Sequence, residues 1–300
     1  MLADGTSRWV DVNGQLLRIT HPDKVLWPDL GLTKWDYVRH LAQLAPYLIR
    51  HARHRLLTTV RFPDGIGGEG FYQKNIPAYA PVWVDRLRWK NTVYILLNRP
   101  ETLIWLANQG CLEFHVSFSY RGENQVRALV FDLDLNRGEF STVAEAALTI
   151  RDELAALGMD CFVKTSGATG LQLFVPIQPC SFEDARQVNR FFAMYFASKY
   201  PHWFTLERQV KKRRAPIYFD YLQMWHGKSI ICPYSPRARP GAPVSVPLKW
   251  SELEAGVRPE QFRLDNVHQR LAKEGDLFLP LLNHAGHSIQ PFLQALISLP

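Results

Sequence analysis

Cysteine is scarce and scattered in this chain. Its 300 residues include four, Cys111, Cys161, Cys180 and Cys232, and no two show C-x-x-C spacing. That argues against a zinc ribbon or a disulfide framework, and all four read as reduced thiols. Long apolar runs are missing as well. Each is broken by polar residues before a bilayer is spanned, and no signal peptide opens the chain, so the expectation is a cytoplasmic protein with no membrane partner. Low-complexity tracts and internal repeats are absent, which sets aside disorder and solenoids.

What is present suits a folded α/β chain. A hydrophobic fraction of 47% and a charged fraction of 21% are ordinary for a globular protein, and the length fits one large lobe or two fused ones. The formal charge of +7 favours a polyanionic partner. Part of it is concentrated in the run Lys211, Lys212, Arg213 and Arg214, a candidate contact for a nucleic-acid backbone, with Arg237 and Arg239 in a later Pro-rich loop.

Several elements are marked by their own signals. Residues 9–19 alternate around Asn13-Gly14, the pattern of a tight β-hairpin. Thr33 is placed to cap a helix running to about Arg50, with Tyr37, Leu41, Leu44 and Leu48 on one face. Pro100 and Gly110 bracket a short helix, and 112–119 alternates as a strand. Residues 126–135 form a strongly apolar strand, after which Thr142 and Glu145 read as a capping box for a helix ending at Gly158. Strands at 161–164 and 171–175 flank the turn 165–170, and Ser181 with Asp184 opens a helix reaching about Lys199. Short strands are expected at 217–221 and 229–232.

Asp132 and Asp134 lie two apart in the 126–135 strand, so both carboxylates project from one face while Phe131, Leu133 and Leu135 pack beneath. Close carboxylates repel unless a cation lies between them, and hard oxygen ligands suit Mg²⁺ or Mn²⁺. An isolated pair of this kind is more often a solvated strand end. The turn 165–170 adds a phosphate reading: Gly167 and Gly170 free the backbone to form an anion nest, Ser166 and Thr169 offer hydroxyls, and Lys164 offers charge. Glu113 and His115 share a strand face, and Phe71, Tyr72 and Lys74 follow a glycine-rich loop. Each of these is as often structural as functional. Asp220, between Phe219 and Tyr221, carries no local signal.

Taken in order, these segments resemble the polymerase domain of bacterial ligase D, a branch of the archaeo-eukaryotic primase superfamily. The segments that carry the resemblance are 21–26, 33–34, 71–74, 105–107, 113–115, 131–134, 164–167, 219–221 and 233–240, spanning roughly residues 15 to 255. The resemblance implies an α/β (α+β) fold: a primase-like catalytic core with a mixed or antiparallel sheet flanked by helices, plus a smaller N-terminal lobe. The corresponding division is residues 1–255 for the polymerase domain and 256–300 for a helical and loop extension. It further implies nucleotide addition to a 3′-hydroxyl in gap filling and terminal extension during non-homologous end joining, with ribonucleotides preferred and two Mg²⁺ or Mn²⁺ ions as cofactors.

Residue by residue, the resemblance assigns Asp132, Asp134 and Asp220 to the metal-binding triad. It places His115, Ser166, Gly167, Thr169 and Gln172 at the nucleotide's sugar and phosphates, Phe71 and Lys74 near the base, and Arg237 and Arg239 at the triphosphate or template. Lys24 and Lys34 are assigned to the 5′-phosphate of a DNA end. The implied partners are such ends, nucleoside triphosphates, Ku and a separate DNA ligase, in a nucleoid-associated cytoplasmic protein. The chain departs from the family's Lys-Thr-Ser-Gly-Gly-Lys-Gly-Leu-His turn at Ala168, Thr169 and Gln172, and Gln223 stands where Arg is frequent. The lost Lys and His remove positive charge, so weaker nucleotide binding and a greater reliance on Mn²⁺ are expected. A primase, or a DNA-end synapsis module with weakened catalysis, are the alternatives. No K-x-D-G ligase motif is found, so ligase chemistry belongs elsewhere.

Overall fold

The computed structural model describes residues 7–121 and 123–297. The fold is mixed α/β, as expected, and the chain divides into two compact units that interleave in sequence. The first comprises residues 1–117, 229–245 and 260–275; the second comprises 118–228, 246–259 and 276–300. Among the described residues, no helix is long and apolar enough to cross a membrane.

The first unit opens with the hairpin Ser7–Val12 and Gln15–Thr20, whose turn residues Asn13 and Gly14 have φ of 52° and 83°. Both central residues of a type I′ turn need positive φ, which is why Asn-Gly marks it. The helix Lys34–Ala52 follows, capped by a reciprocal Thr33–Asp36 box. Its residues Tyr37, Leu41, Leu44 and Leu48 are buried, one stripe of an amphipathic helix. The unit's larger sheet runs in the order Ser229–Ile231, Cys111–Tyr120, Arg55–Arg61, Thr92–Leu96, Arg86–Trp89, and Phe71–Gln73 adds to Arg55–Arg61.

The second unit is built on six strands in the order Phe204–Thr205, Ile217–Phe219, Gln125–Leu135, Leu171–Ser181, Phe162–Thr165, Pro247–Leu248. The first pair is parallel and the others antiparallel, a mixed sheet. Alternation along Gln125–Leu135 sends Phe131 and Leu133 to one face, where Phe131 meets Phe192 at 5.5 Å and Phe219 at 5.2 Å between ring centroids. Phe192 belongs to the helix Phe182–Lys199, capped by the Ser181 hydroxyl as the sequence suggests. Tilted aromatic pairs of this kind add about 0.5–1.5 kcal/mol beyond their buried area. This aromatic layer fixes the strand that carries Asp132 and Asp134.

One capping assignment fails. The helix expected to start at Thr142 begins at Phe140, and its cap, Glu139, makes no side-chain hydrogen bond. Thr142 lies inside the first turn, with its N–H donating to the Glu139 carbonyl. A box residue one turn too late has a helical backbone and cannot cap. The other end agrees with expectation: Met159 N–H donates to Leu154 O and Gly158 N–H to Ala155 O, a Schellman closure with Gly158 at φ 70°.

Candidate active site

In the second unit, strand register brings four polar residues into one transverse row. Lys164 pairs with Gln172, and Gln172 pairs with Asp132. Leu133 pairs with Phe219, so the next residue, Asp220, falls beside Asp132, with its N–H donating to the Asp132 carbonyl at 2.9 Å. Asp134 occupies the same face two residues on. The three acids that the sequence resemblance grouped thus come from two neighbouring strands of one sheet. Asp220 lies just past the three-residue strand Ile217–Phe219 that aligns it.

Their environments differ. Asp132 is buried and accepts a 3.0 Å hydrogen bond from Gln172 Nε2, whereas Asp134 is exposed. Burial, then the charges of Asp134 and Asp220, push the Asp132 carboxyl up to about 8, against the lowering effects of Gln172 and Lys164. Asp220 Oδ1 accepts from Tyr218 Oη at 3.2 Å and from Leu222 N at 3.1 Å, which sets its orientation. Arg213 covers the Tyr218 ring with its guanidinium carbon 3.9 Å from the centroid. A buried acid flanked by two others is costly without a cation, and its donors are all oxygen. That set fits a hard divalent ion such as Mg²⁺ or Mn²⁺.

The 165–170 turn abuts this row. Gly170 is required there, since a Cβ would sit 2.3 Å from the Leu133 carbonyl oxygen. Ser166 is buried, and its Oγ accepts from Ala168 N at 3.2 Å and Gly170 N at 3.1 Å. Two of the N–H groups that a phosphate nest would offer are therefore turned onto Ser166. Gly167 is buried at φ 68°, and Thr169 is exposed. Lys164 is fully buried, with Nζ donating to Thr165 O at 3.3 Å. Gln172 Oε1 is buried and has no hydrogen-bond partner.

A second polar cluster occupies the strand Cys111–Tyr120 of the first unit. Glu113 Oε2 lies 2.9 Å from His115 Nε2, while Glu113 Oε1 accepts from Ala238 N at 3.0 Å and lies 3.2 Å from Arg237 Nε. Burial pushes the Glu113 carboxyl up, but the His115 hydrogen bond, the Arg237 and His115 charges and the Ala238 N–H outweigh it and hold the group below the usual carboxylate range. Arg239 is exposed, and its carbonyl accepts from Trp27 Nε1. Phe71 is 45% exposed with the Arg61 guanidinium over its ring, and Lys74 is exposed. The Glu113–Arg237 link spans 124 positions of sequence and had no local signal.

The lysines assigned to a 5′-phosphate have protein partners. Lys24 Nζ reaches Asp64 Oδ1 at 2.8 Å and the Pro63 carbonyl at 3.1 Å. Lys34 is buried, donating to the carbonyls of Thr20 at 2.8 Å and Asn108 at 3.2 Å. Burial, followed by the Lys24 charge, lowers Lys34 to about 8. The basic run is also divided: Lys211, Lys212 and Arg214 are exposed, while Arg213 turns inward to Asn136 Oδ1 and the carbonyls of Glu207 and Arg208.

Residues 33–278 match the family model described as LigD, primase-polymerase domain. The bifunctional non-homologous end joining protein LigD of Bacillus subtilis is 36% identical over 262 residues, covering 86% of this chain and 43% of the relative. The multifunctional LigD of Mycolicibacterium smegmatis is 33% identical over 274 residues, covering 88% and 36%. The chain thus spans less than half the length of the curated relatives it matches. Among solved structures, the polymerase domain from Mycobacterium tuberculosis ligase D in complex with DNA aligns with a TM-score of 0.82 at 31% identity, covering 88% of this chain and 97% of that one. The fold is therefore primase-like.

Proposed function

The chain belongs to the LigD primase-polymerase domain family, and on that footing we propose that it is a DNA-end-directed nucleotidyltransferase. It adds nucleotides, ribonucleotides by preference, to a primer 3′-hydroxyl in gap filling and terminal extension during non-homologous end joining. The observation that carries this reading is the row in which buried Asp132 lies beside Asp220 and below exposed Asp134. A pure DNA-end synapsis module has no use for carboxylates crowded on one sheet face, where they repel DNA phosphates.

Asp132, Asp134 and Asp220 hold the cations. Two Mg²⁺ or Mn²⁺ ions, when bound, make the 3′-hydroxyl a better nucleophile and offset charge on the departing pyrophosphate. Tyr218 and Gln172 keep Asp220 and Asp132 aimed, as groups behind metal ligands do. Both acceptor positions of Ser166 Oγ are taken by backbone N–H groups, so its O–H proton remains to donate to a phosphate oxygen. Gly167 gives that oxygen room, and Thr169 and Gln172 border it. His115, held by Glu113, meets the nucleotide sugar. Phe71 and Lys74 meet the base, and Arg237 and Arg239 meet the triphosphate or template. Lys24 and Lys34 serve the 5′-phosphate of the DNA end, Lys24 by exchanging Asp64 for it. Ku and a separate DNA ligase are the expected protein partners.

The test is extension of a gapped, 5′-phosphorylated DNA with ribo- and deoxyribonucleotides in Mg²⁺ and in Mn²⁺. The proposal expects ribonucleotide-preferring extension that Asp132→Ala abolishes and that gains from the 5′-phosphate. Extension insensitive to Asp132→Ala would overturn it. Equal activity on unprimed template would favour a primase instead.

A further inference from the structure

The second unit holds a polar cluster that the polymerase reading does not use. Its members are Asp160, His284 and His287, whose ligand atoms all lie within 4.8 Å of one another. Asp160 precedes the strand Phe162–Thr165, and His284 closes the helix Leu279–Asn283. The segment that follows docks on the sheet: His287 N–H donates to Pro176 O and the Gln178 N–H to His287 O, both at 3.0 Å. Gly286, at φ 85°, makes that docking possible, because a Cβ would lie 2.3 Å from the Ile177 carbonyl carbon. Backbone pairing thus fixes His287 independently of its side chain.

Both imidazoles converge on one oxygen. His284 Nε2 is 3.0 Å and His287 Nε2 is 3.3 Å from Asp160 Oδ2. The protons needed to satisfy both contacts are not available. His287 Nε2 also accepts from the Asp160 backbone N–H at 2.8 Å, so it presents a lone pair. A ring nitrogen carries a proton or a lone pair, not both. That nitrogen therefore offers no proton to the carboxylate oxygen 3.3 Å away. His284 Nδ1 accepts from Gly286 N at 2.9 Å, which leaves its single proton on Nε2, directed at Asp160. Of the three ligand atoms, only His284 Nε2 carries a proton of its own. Zinc bonds of about 2.0–2.1 Å at tetrahedral angles give ligand–ligand edges of roughly 3.3–3.4 Å. The two nitrogen–oxygen contacts are close to that spacing.

We propose that Asp160, His284 and His287 form a structural site for a first-row divalent transition ion of the zinc class, which staples the 284–288 segment to the sheet. On loading, the His284 proton moves from Nε2 to Nδ1 and the Gly286 contact is released. His287 Nε2 exchanges the Asp160 N–H for the ion, and Asp160 Oδ2 is the third ligand, with water in the fourth position. No proton enters or leaves the protein. Two imidazoles select this class over Mg²⁺, which the all-oxygen acids around Asp132 favour. The site shares no residue with those acids and needs no substrate.

Equilibrium dialysis of the full chain against Zn²⁺, with Co²⁺ absorption as a spectroscopic probe, tests it. The parent is expected to bind one equivalent with a visible band typical of nitrogen-ligated Co²⁺, and Zn²⁺ is expected to raise its melting temperature. His284→Ala should weaken that binding roughly tenfold or more, since even groups behind a ligand change affinity by about 10–100-fold. Its primer extension should stay at the parental level. Asp160→Asn, at an exposed position, gives the same readout if His284→Ala does not fold. Asp132→Asn with Asp134→Asn should keep the band. Equal Zn²⁺ affinity in the parent and the His284 or Asp160 variant would overturn the proposal. So would a band lost only in the Asp132/Asp134 variant.

Discussion

Glu113 in the first unit and Asp132 in the second are both buried acids on long strands, and their surroundings treat them in opposite ways. Glu113 is answered on both oxygens, by His115 on one and by Ala238 N–H and Arg237 on the other. Asp132 has one neutral donor, Gln172, and the weaker pull of the Lys164 charge, set against two acidic neighbours, Asp134 and Asp220. The first arrangement is self-sufficient and positions side chains. The second leaves a buried acid opposed by like charges, the pattern expected of the proposed cation site rather than of a core. Burial of an acid says little until its partners are counted.

That contrast can be broken by mutation. If Asp132 holds the cation as proposed, Asp132→Asn should cost several kcal/mol in transition-state stabilisation, roughly 10²–10⁴-fold in kcat. Primer extension under saturating nucleotide measures it. Glu113→Gln should act on stability instead, costing about 1–3 kcal/mol as Arg237 and His115 lose their charged partner. Urea unfolding reads that loss, and a raised nucleotide KM with a smaller change in kcat would accompany it.

Smaller effects sharpen the picture of each unit. Gln172→His together with Thr169→Lys restores positive charge to the turn, and nucleotide affinity should rise by about tenfold, as one charged hydrogen bond allows. Unchanged affinity in steady-state kinetics would show that the turn does not limit binding. Lys34 gives the most specific signal, one confined to a pH window. Its folded pKa of about 8 lies below the ordinary 10.5, so the folded state disfavours the charged form. Its contribution is therefore fully present above 10.5 and is lost as pH falls through about 8. Stability should rise across that window in the parent, and the rise should flatten in Lys34→Met.

Much of the architecture was legible because it rests on local rules. The Asn13-Gly14 hairpin, the Thr33 and Ser181 caps and the period-two placement of Asp132 and Asp134 depend only on neighbours in sequence. Asp220 did not: its strand has three residues, and only the Leu133–Phe219 register brings it to Asp132. Resemblance to a family supplied what periodicity could not. The basic run shows a related limit of local reading. Four adjacent charges read as one surface, yet the chain turns Arg213 inward beneath Tyr218, and a charge count carries no direction. The Asp160, His284 and His287 group was invisible, since 124 residues separate its acid from its first histidine.

On the proposed reading, Asp132 is held for a cation at the expense of the fold. Urea unfolding of the parent and Asp132→Asn, with and without Mn²⁺, tests it most directly. Without the ion, the variant should be as stable as the parent or more so, because a buried carboxyl whose ionisation is opposed by burial and by two like charges has been removed. With saturating Mn²⁺, the parent alone should gain stability. An Asp132→Asn protein that is weaker than the parent without the ion, and that gains as much from Mn²⁺, would contradict the account.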